Sequence, residues 1–364
     1  MVFAPASAAY RDKDPDAKSV VIVDDSATMR SILRVVIDDD PKLNVIGEAD
    51  SALQAREVIK ETNPDVVTLD IEMPGMSGLE FLEKLMRLRP TPVVMISSAT
   101  RANSEATITA LSLGAVDCIL KPTTLIDPSV RKDMTRRIVA AANSSVQQLA
   151  PVVAAPKPVL AMPEGPLPLI LVGSSTGGVV ALERMLMDLP ADGPPVVIVQ
   201  HMPGNFLESF SSHLNNKLPQ SVALAREDEV LDVGHVRLAP AEGRHTSVYR
   251  RGTQWRCRFT PKSGEELHCP SVDTLFASAV SEAEDVIAVI LTGLGRDGAE
   301  AMLRLHQAGT FTLGQDEASS VVYGMPKAAW ELGAIDRQMP IATIGSGVTE
   351  AVAAYRKRMA RKTR

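Results

Sequence analysis

The sequence predicts an α/β protein made of two successive domains, each built on a parallel sheet. Three observations carry this. Short apolar, β-rich runs alternate with amphipathic stretches from Ser19 onward. An Ala/Pro-rich stretch at 146–167 interrupts the alternation, and the alternation then resumes. At 364 residues the chain is also too long for one ordinary domain and suits two, each large enough to bury its own core.

In the first half, SVVIVDD, LNVIGEA, DVVTLDIEMP, PVVMISSA and DCILKP read as strands. Between and after them, SATMRSILRVVIDDD, SALQAREVIKETN, SGLEFLEKLMRLRP, SEATITALSLGA and PSVRKDMTRRIVAAANSSV read as helices. Five such pairs joined by right-handed crossovers give a doubly wound parallel sheet. The second half opens with LPLILV, turns through GSSTGG, and enters VVALERMLMDLP, where Val179, Leu182, Met185, Leu186 and Leu189 share one helical face. Further buried-strand candidates are PVVIVQH, SVALARE, HVRLAP and DVIAVILTG, while residues 237–269 read as hairpins. The expected division is a loose leader at 1–18, a first domain at 19–145, a linker at 146–167, a second domain at 168–355 and a basic tail at 356–364. The tail reads as a solvated helix end whose cations suit the helix dipole.

Composition narrows the function. The 45% hydrophobic and 23% charged fractions match an average water-soluble chain, and no apolar run is long enough to span a bilayer. The first residues lack a basic start followed by an apolar core, so a cytoplasmic location is expected. Cys118, Cys257 and Cys269 form no CxxC pair, which argues against a disulfide framework or a structural zinc site. A net charge of -6 leaves no electrostatic footprint for nucleic acid.

Ligands of parallel sheets gather at the carboxyl ends of the strands. Asp24 and Asp25 end the first strand and Asp70 the third, so three acids converge, and a hard divalent cation such as Mg²⁺ is the usual remedy for their repulsion. Ser97 and Lys121 end the fourth and fifth strands and add a hydroxyl and an ammonium. The set suits a phosphoryl group carried on a carboxylate. Any one of these acids alone reads equally as a helix N-cap or a surface charge.

With VDDS at 23–26, LDIEMPGMSG at 69–78, SS at 97–98 and KP at 121–122, the first domain resembles a response-regulator receiver domain, a flavodoxin-like doubly wound fold. The resemblance implies Asp70 as phosphoacceptor, Asp25 and Asp70 as direct Mg²⁺ ligands, Asp24 as an acidic neighbour acting through water, and the Glu72 carbonyl as a further ligand. It also implies Ser97 as the switch hydroxyl and Lys121 as the phosphate-pairing cation. Cys118 stands where receivers often carry an aromatic residue, so an aromatic rotamer switch is not implied.

In the second domain, Gly173-Ser174-Ser175-Thr176-Gly177 fits G-x-S-x-G between an apolar strand and an amphipathic helix. That block alone reads either as a nucleophile turn or as a phosphate-cradling loop. A histidine and an aspartate favour the first: His201 directly follows PVVIVQ, and Asp297 lies in LTGLGRDG after DVIAVI. All three would leave the carboxyl ends of parallel strands, with Ser175 as nucleophile, His201 as general base and Asp297 orienting the imidazole. The other histidines read as structural, His213 and His306 in helical patterns and His235, His245 and His268 in the hairpin region.

GSSTGG at 173–178, QHMP at 200–203, PSVDTLF at 270–276, LTGLGRDG at 291–298 and SSVVYGMP at 319–326 make the second domain resemble the catalytic domain of the chemotaxis methylesterases (CheB). The resemblance implies a phosphorylation-activated esterase that hydrolyses glutamate methyl esters on methylated chemoreceptors, deamidates specific receptor glutamines, and takes its phosphoryl group from a chemotaxis histidine kinase. It carries the triad roles to Ser175, His201 and Asp297, makes the backbone N–H near Leu294 an oxyanion donor, and calls for no metal at the esterase site. Cys269 departs from the arginine common there. Two rivals remain at this point, a binding protein that keeps the fold without turnover and a hydrolase of small soluble esters.

Overall fold

The structure, a computed structural model, describes residues 13–98, 100–122, 127–144, 166–264 and 268–362. Most of the leader, nearly all of the linker and the last two residues of the tail lie outside the described residues. The chain divides into two compact units, and its two parallel sheets are taken separately.

The amino-terminal strands are β1 (Lys18–Val23), β2 (Leu43–Ala49), β3 (Val66–Asp70), β4 (Val93–Ser97) and β5 (Asp117–Leu120). They alternate with α1 (Ala27–Asp38), α2 (Ala52–Thr62), α3 (Gly78–Leu88), α4 (Arg101–Ser112) and α5 (Pro128–Ala142). The sheet order is β2-β1-β3-β4-β5 with every pair parallel, the doubly wound order expected from the alternation. Both faces are covered, which is why β3 and β4 are buried along their whole length and read as near-continuous apolar runs. Each helix begins where a side chain accepts a first-turn N–H: Ser26, Ser51, Ser77, Thr100 and Asp127. Of the expected leader at 1–18, residues 13–18 are described. Lys13 Nζ donates to the carbonyls of Asp38 at 2.7 Å and Leu43 at 2.6 Å, and β1 starts at Lys18.

The carboxyl-terminal strands are β6 (Leu169–Ser174), β7 (Val196–Gln200), β8 (Ser221–Leu224), β9 (His235–Leu238), β10 (Arg244–Arg251), β11 (Gln254–Pro261), β12 (Val286–Ile290), β13 (Phe311–Gln315) and β14 (Arg337–Met339). The helices are α6 (Gly178–Met187), α7 (Gly204–Lys217), α8 (Val272–Ala277), α9 (Ala299–Gln307), α10 (Met325–Glu331) and α11 (Ile341–Lys362). Seven strands form a parallel sheet in the order β14-β13-β12-β6-β7-β9-β8. Only β10 and β11 make the hairpin expected across 237–269; β9, with His235 at its start, belongs to the parallel sheet. The hairpin packs through Val248, Trp255 and Cys257 into the core with Phe276 and Met302. The basic tail is no separate segment: α11 continues to Lys362, whose ammonium pairs with Glu284, and Arg358 lies over the Tyr355 ring.

Close packing fixes the β3–α3 turn. A Cβ on Gly78 would sit 1.8 Å from the carbonyl oxygen of Asp70, so only glycine lets α3 start against the end of β3. Gly78→Ala should therefore destabilise the five-stranded sheet by about 1–3 kcal/mol, as overpacking of a filled site does. Urea unfolding followed by far-UV circular dichroism would register this as a lowered midpoint; an unchanged midpoint would mean the turn yields without cost.

Candidate active site

In both sheets the order reverses beside a central strand, and the loops that leave on either side of that point open a crevice at the carboxyl ends. In the first sheet the reversal lies between β1 and β3, so the loops after Val23 and at Asp70 face each other. Asp24, Asp25 and Asp70 each offer an oxygen there, all within 4.8 Å of one another. Lys121, just past β5, reaches in: its Nζ lies 2.6 Å from Asp70 Oδ2 and 3.0 Å from Asp24 Oδ2. Burial pushes the Asp70 carboxyl up, the Lys121 hydrogen bond opposes this, and the nearby Asp24 charge adds to the rise, leaving it above the usual carboxylate range. Lys121 is held above its ordinary value because its bonds to Asp70 and Asp24 outweigh its burial.

The set fits a hard divalent cation. Three carboxylates face one ammonium, every donor is oxygen, and Asp24 and Asp70 are buried. Glu72 follows Asp70 and is tied to it by an N–H donated to Asp70 Oδ1 at 3.3 Å. Ser97 is buried at the end of β4, and its carbonyl accepts the Lys121 N–H at 2.8 Å, which brings the fourth and fifth strand ends together. Arg30, which sequence reasoning passed over, donates to the carbonyls of Asp24 at 2.8 Å and Asp25 at 3.2 Å and so fixes the loop that presents both acids. Cys118 is buried in β5, and burial together with the neighbouring Asp117 charge pushes its thiol up to about 12, so it is an inert core residue.

In the second sheet the reversal falls at β6, between β7 and β12. Ser174 pairs in register with Gln200, so Ser175 and His201 are the next residues along neighbouring strands. The His201 N–H donates to the Ser174 carbonyl at 3.0 Å, and the Ser175 N–H donates to the Thr292 carbonyl at 3.0 Å, tying the serine to the loop after β12. That loop carries Asp297, whose Oδ2 lies 2.8 Å from His201 Nε2. The other ring nitrogen, His201 Nδ1, is buried and has no hydrogen-bond partner among the described residues. Ser175 itself is half-buried at the mouth of α6, a helix whose N-cap, Gly177, supplies no side-chain acceptor. The Leu294 N–H lies in the same loop and donates to no acceptor among the described hydrogen bonds. A Cβ on its neighbour Gly293 would come 2.8 Å from Ser175 Cβ, which shows how closely the two segments approach.

Five further contributors were given no individual role from the sequence. Gln200 is buried and works as a clamp: its Oε1 accepts from Ser174 Oγ at 2.6 Å, and its Nε2 donates to the carbonyls of Ser175 at 2.8 Å and His201 at 3.2 Å. Gly178 is needed beside it, since a Cβ there would lie 2.0 Å from Gln200 Oε1. Ser271 and Asp273 sit at the start of α8: Ser271 Oγ and the N–H groups of Val272 and Asp273 donate to Asp297 at 2.9, 2.7 and 3.0 Å. Asp273 in turn accepts from the Ala301 N–H in the first turn of α9 at 2.9 Å. His268, read from sequence as a structural residue of the hairpin region, lies past the end of β11 and stacks on His201, with ring centroids 4.2 Å apart and planes 13° from parallel.

Burial alone would raise the Asp297 carboxyl, but the His201 hydrogen bond and charge, with the two backbone donors, hold it well below the usual carboxylate range. Asp273 moves the other way, pushed up by burial and by the Asp297 charge beside it. A depressed carboxyl stabilises the fold fully above its unfolded value of about 3.9 and loses that contribution as pH falls through its folded value. The stability difference between wild type and Asp297→Asn should therefore shrink as pH falls from about 4 to about 2. Urea melts across that range measure it, and a difference that grows in acid would reverse the assignment.

Comparison with known proteins finds one family over each of the two sheets. Residues 20–127 match the response regulator receiver domain family, and residues 170–348 match the CheB methylesterase family. The protein-glutamate methylesterase/protein-glutamine glutaminase 1 of Rhizobium johnstonii is 46% identical over 343 residues, spanning 93% of this chain and 97% of that one. The like-named protein 1 of Caulobacter vibrioides is 45% identical over 345 residues, spanning 93% and 98%. The Rhizobium etli protein of that name is 45% identical over 343 residues, spanning 93% and 97%. With a receiver domain ahead of a methylesterase domain and this likeness over nearly its whole length, the chain belongs to the CheB family of protein-glutamate methylesterases/protein-glutamine glutaminases.

Proposed function

We propose that this protein hydrolyses glutamate γ-methyl esters on methylated chemoreceptors, releasing methanol, and deamidates specific receptor glutamines, under the control of phosphorylation at Asp70. The observation that carries the reading is the pairing of His201 Nε2 with Asp297 at 2.8 Å beside Ser175, in a chain of this family. With Nε2–H donated to Asp297, Nδ1 is left as the basic nitrogen. Ser175 Oγ attacks the ester carbonyl carbon as Nδ1 takes its proton, and the N–H groups of the Leu294 loop and the α6 N-terminus receive the developing oxyanion. The tetrahedral adduct expels methoxide, which takes that proton and departs as methanol. Water, deprotonated by the same nitrogen, attacks the acyl-enzyme, and the glutamate leaves as Ser175 regains its proton. For glutamine the leaving group is ammonia and the remaining steps are the same. Asp297 stays ionised throughout and stabilises the imidazolium, in keeping with a carboxyl held below the usual range.

In the receiver domain, Asp24, Asp25 and Asp70, with the Glu72 carbonyl, would hold Mg²⁺, whose charge would offset that of an incoming phosphoryl group. Asp70 accepts the phosphoryl group from a histidine kinase, Lys121 pairs with its oxygens, and Ser97 hydrogen-bonds to it. We place the receiver at 19–145 and the esterase from 168 onward. No helix among the described residues is long and apolar enough to cross a membrane, and we place the protein in the cytoplasm, where it meets the receptors' cytoplasmic helices.

Methanol release from methylated chemoreceptor membranes, with and without acetyl phosphate and Mg²⁺, tests both halves. Release should rise with the phosphodonor and fall by at least about 10³-fold in Ser175→Ala. Asp70→Asn should keep the basal rate and lose the stimulation, and chelation of Mg²⁺ should do the same. No release from phosphorylated wild type would favour a binding protein, and equal turnover of a small soluble ester would favour a general hydrolase.

A further inference from the structure

We infer that the α2–α3 face of the receiver domain is a docking groove for an acidic amphipathic helix of a partner protein. Neither phosphoryl transfer nor ester hydrolysis uses this face. A groove of about 760 Å³ runs between α2, α3 and the loop at Gly75. Its floor is apolar and well ordered by the core: Ile59, Phe81 and Leu85 line it and are 2%, 6% and 8% exposed. Its lips are the anomaly. Leu53 on α2 and Leu88 on α3 are 72% and 75% exposed, so two large aliphatic side chains stand in water on either side of one apolar trough. Scattered single leucines on a surface need no explanation, but two that flank a continuous apolar groove mark an interaction surface.

The rim decides the occupant. Arg56, Lys60, Lys84 and Arg89 line the groove, and no carboxylate does. Lys60 and Lys84 have no ion pair among the described residues, and the nearest acid to Arg56 in an ion pair is the exposed Glu57 at 3.9 Å. An apolar trough between two helices, bordered by cations, is complementary to a helix with leucine-like residues on one face and carboxylates along its flanks. A second copy of this chain is a poor occupant, because a two-fold contact would set these cations against themselves. The Ala/Pro-rich stretch at 146–165 is equally unsuited by charge: its one carboxylate, Glu164, is matched by Lys157.

The test uses the full chain and a fluorescein-labelled peptide of about 18 residues, stapled as a helix, with leucine at i, i+3, i+4 and i+7 and glutamate elsewhere. Its counterpart carries lysine in place of glutamate. By fluorescence anisotropy the acidic peptide should bind saturably and more weakly at high salt, and the lysine peptide should not bind. The exposed pairs Leu53→Ser with Leu88→Ser, and Lys60→Glu with Lys84→Glu, should each weaken binding about tenfold or more while leaving the thermal melt of the chain unchanged. Absence of saturable binding, equal binding of both peptides, or binding undiminished in both variants would overturn the inference. So would a wild-type dimer in sedimentation that Leu53→Ser with Leu88→Ser dissolves, since the second copy would then own the groove.

Discussion

Carboxylates buried at the carboxyl edge of a parallel sheet must be compensated, and much of this chain's architecture answers that one requirement. A buried, unpaired carboxylate costs several kcal/mol, enough to consume a large part of an ordinary domain's stability. The two sheets meet it in opposite ways. Asp297 is compensated completely, with three donors from the start of α8 and a fourth from His201. Its carboxyl is held down, so its charge is permanent and can orient an imidazole through a catalytic cycle. Asp70 is compensated in part: one ammonium serves it and Asp24 together, and its carboxyl is pushed up. A site under-compensated in this way has an affinity for added positive charge, and that is the property a phosphorylatable carboxylate needs.

The same requirement explains which helices are capped. On the first sheet every helix starts at a Ser, Thr or Asp whose oxygen takes a first-turn N–H. Around the second site the pattern changes. Gly177 opens α6 and Gly298 opens α9 without a side-chain acceptor, while at α8 Ser271 takes the Thr274 N–H and the Val272 and Asp273 N–H groups go to Asp297. Helix termini therefore serve here as the electrostatic parts of the site. Gln200 supplies rigidity: one side chain bonds Ser174 Oγ and the carbonyls of Ser175 and His201, so Ser175 and His201 are held by a shared brace.

How much of this could be read in the sequence depended on whether the relevant contact is local. Asp24, Asp25 and Asp70 each end an apolar run, and GSSTGG sits between a strand and an amphipathic helix, so one-dimensional pattern places them at strand ends. The sheet order then brings them together by a general topological rule. Gln200, Asp273 and His268 were illegible because their partners are reached only through space: Gln200 looks like the polar end of a strand, and His268 like a loop histidine, until β7 and the segment after β11 are seen to meet. Short strands failed for a different reason. Arg-Gln-Met in β14 carries no alternation, and only its pairing with β13 makes it a strand. The basic tail reads as a helix end, and α11 runs through it to Lys362, anchored by the apolar stripe of Ile344, Val348, Val352 and Tyr355 that precedes it.

The geometry also constrains how phosphorylation can act. With Asp70 bonded to Lys121, the His201–Asp297 hydrogen bond, its three further donors and the Gln200 brace are all in place. A signal at Asp70 therefore has little left to assemble within the catalytic constellation, and a change that merely strengthened bonds already made would raise the rate only slightly. Under the proposed function, control would fall on what reaches Ser175 and not on the bonds around it. Such a signal can shift the equilibrium only by the difference in its own affinity for the restrained and competent arrangements. A large stimulation thus requires that Asp70 phosphate be bound much more tightly in one arrangement than in the other. Under the proposed role of Asp70, the residues placed to make that distinction are Lys121 and the acids beside it.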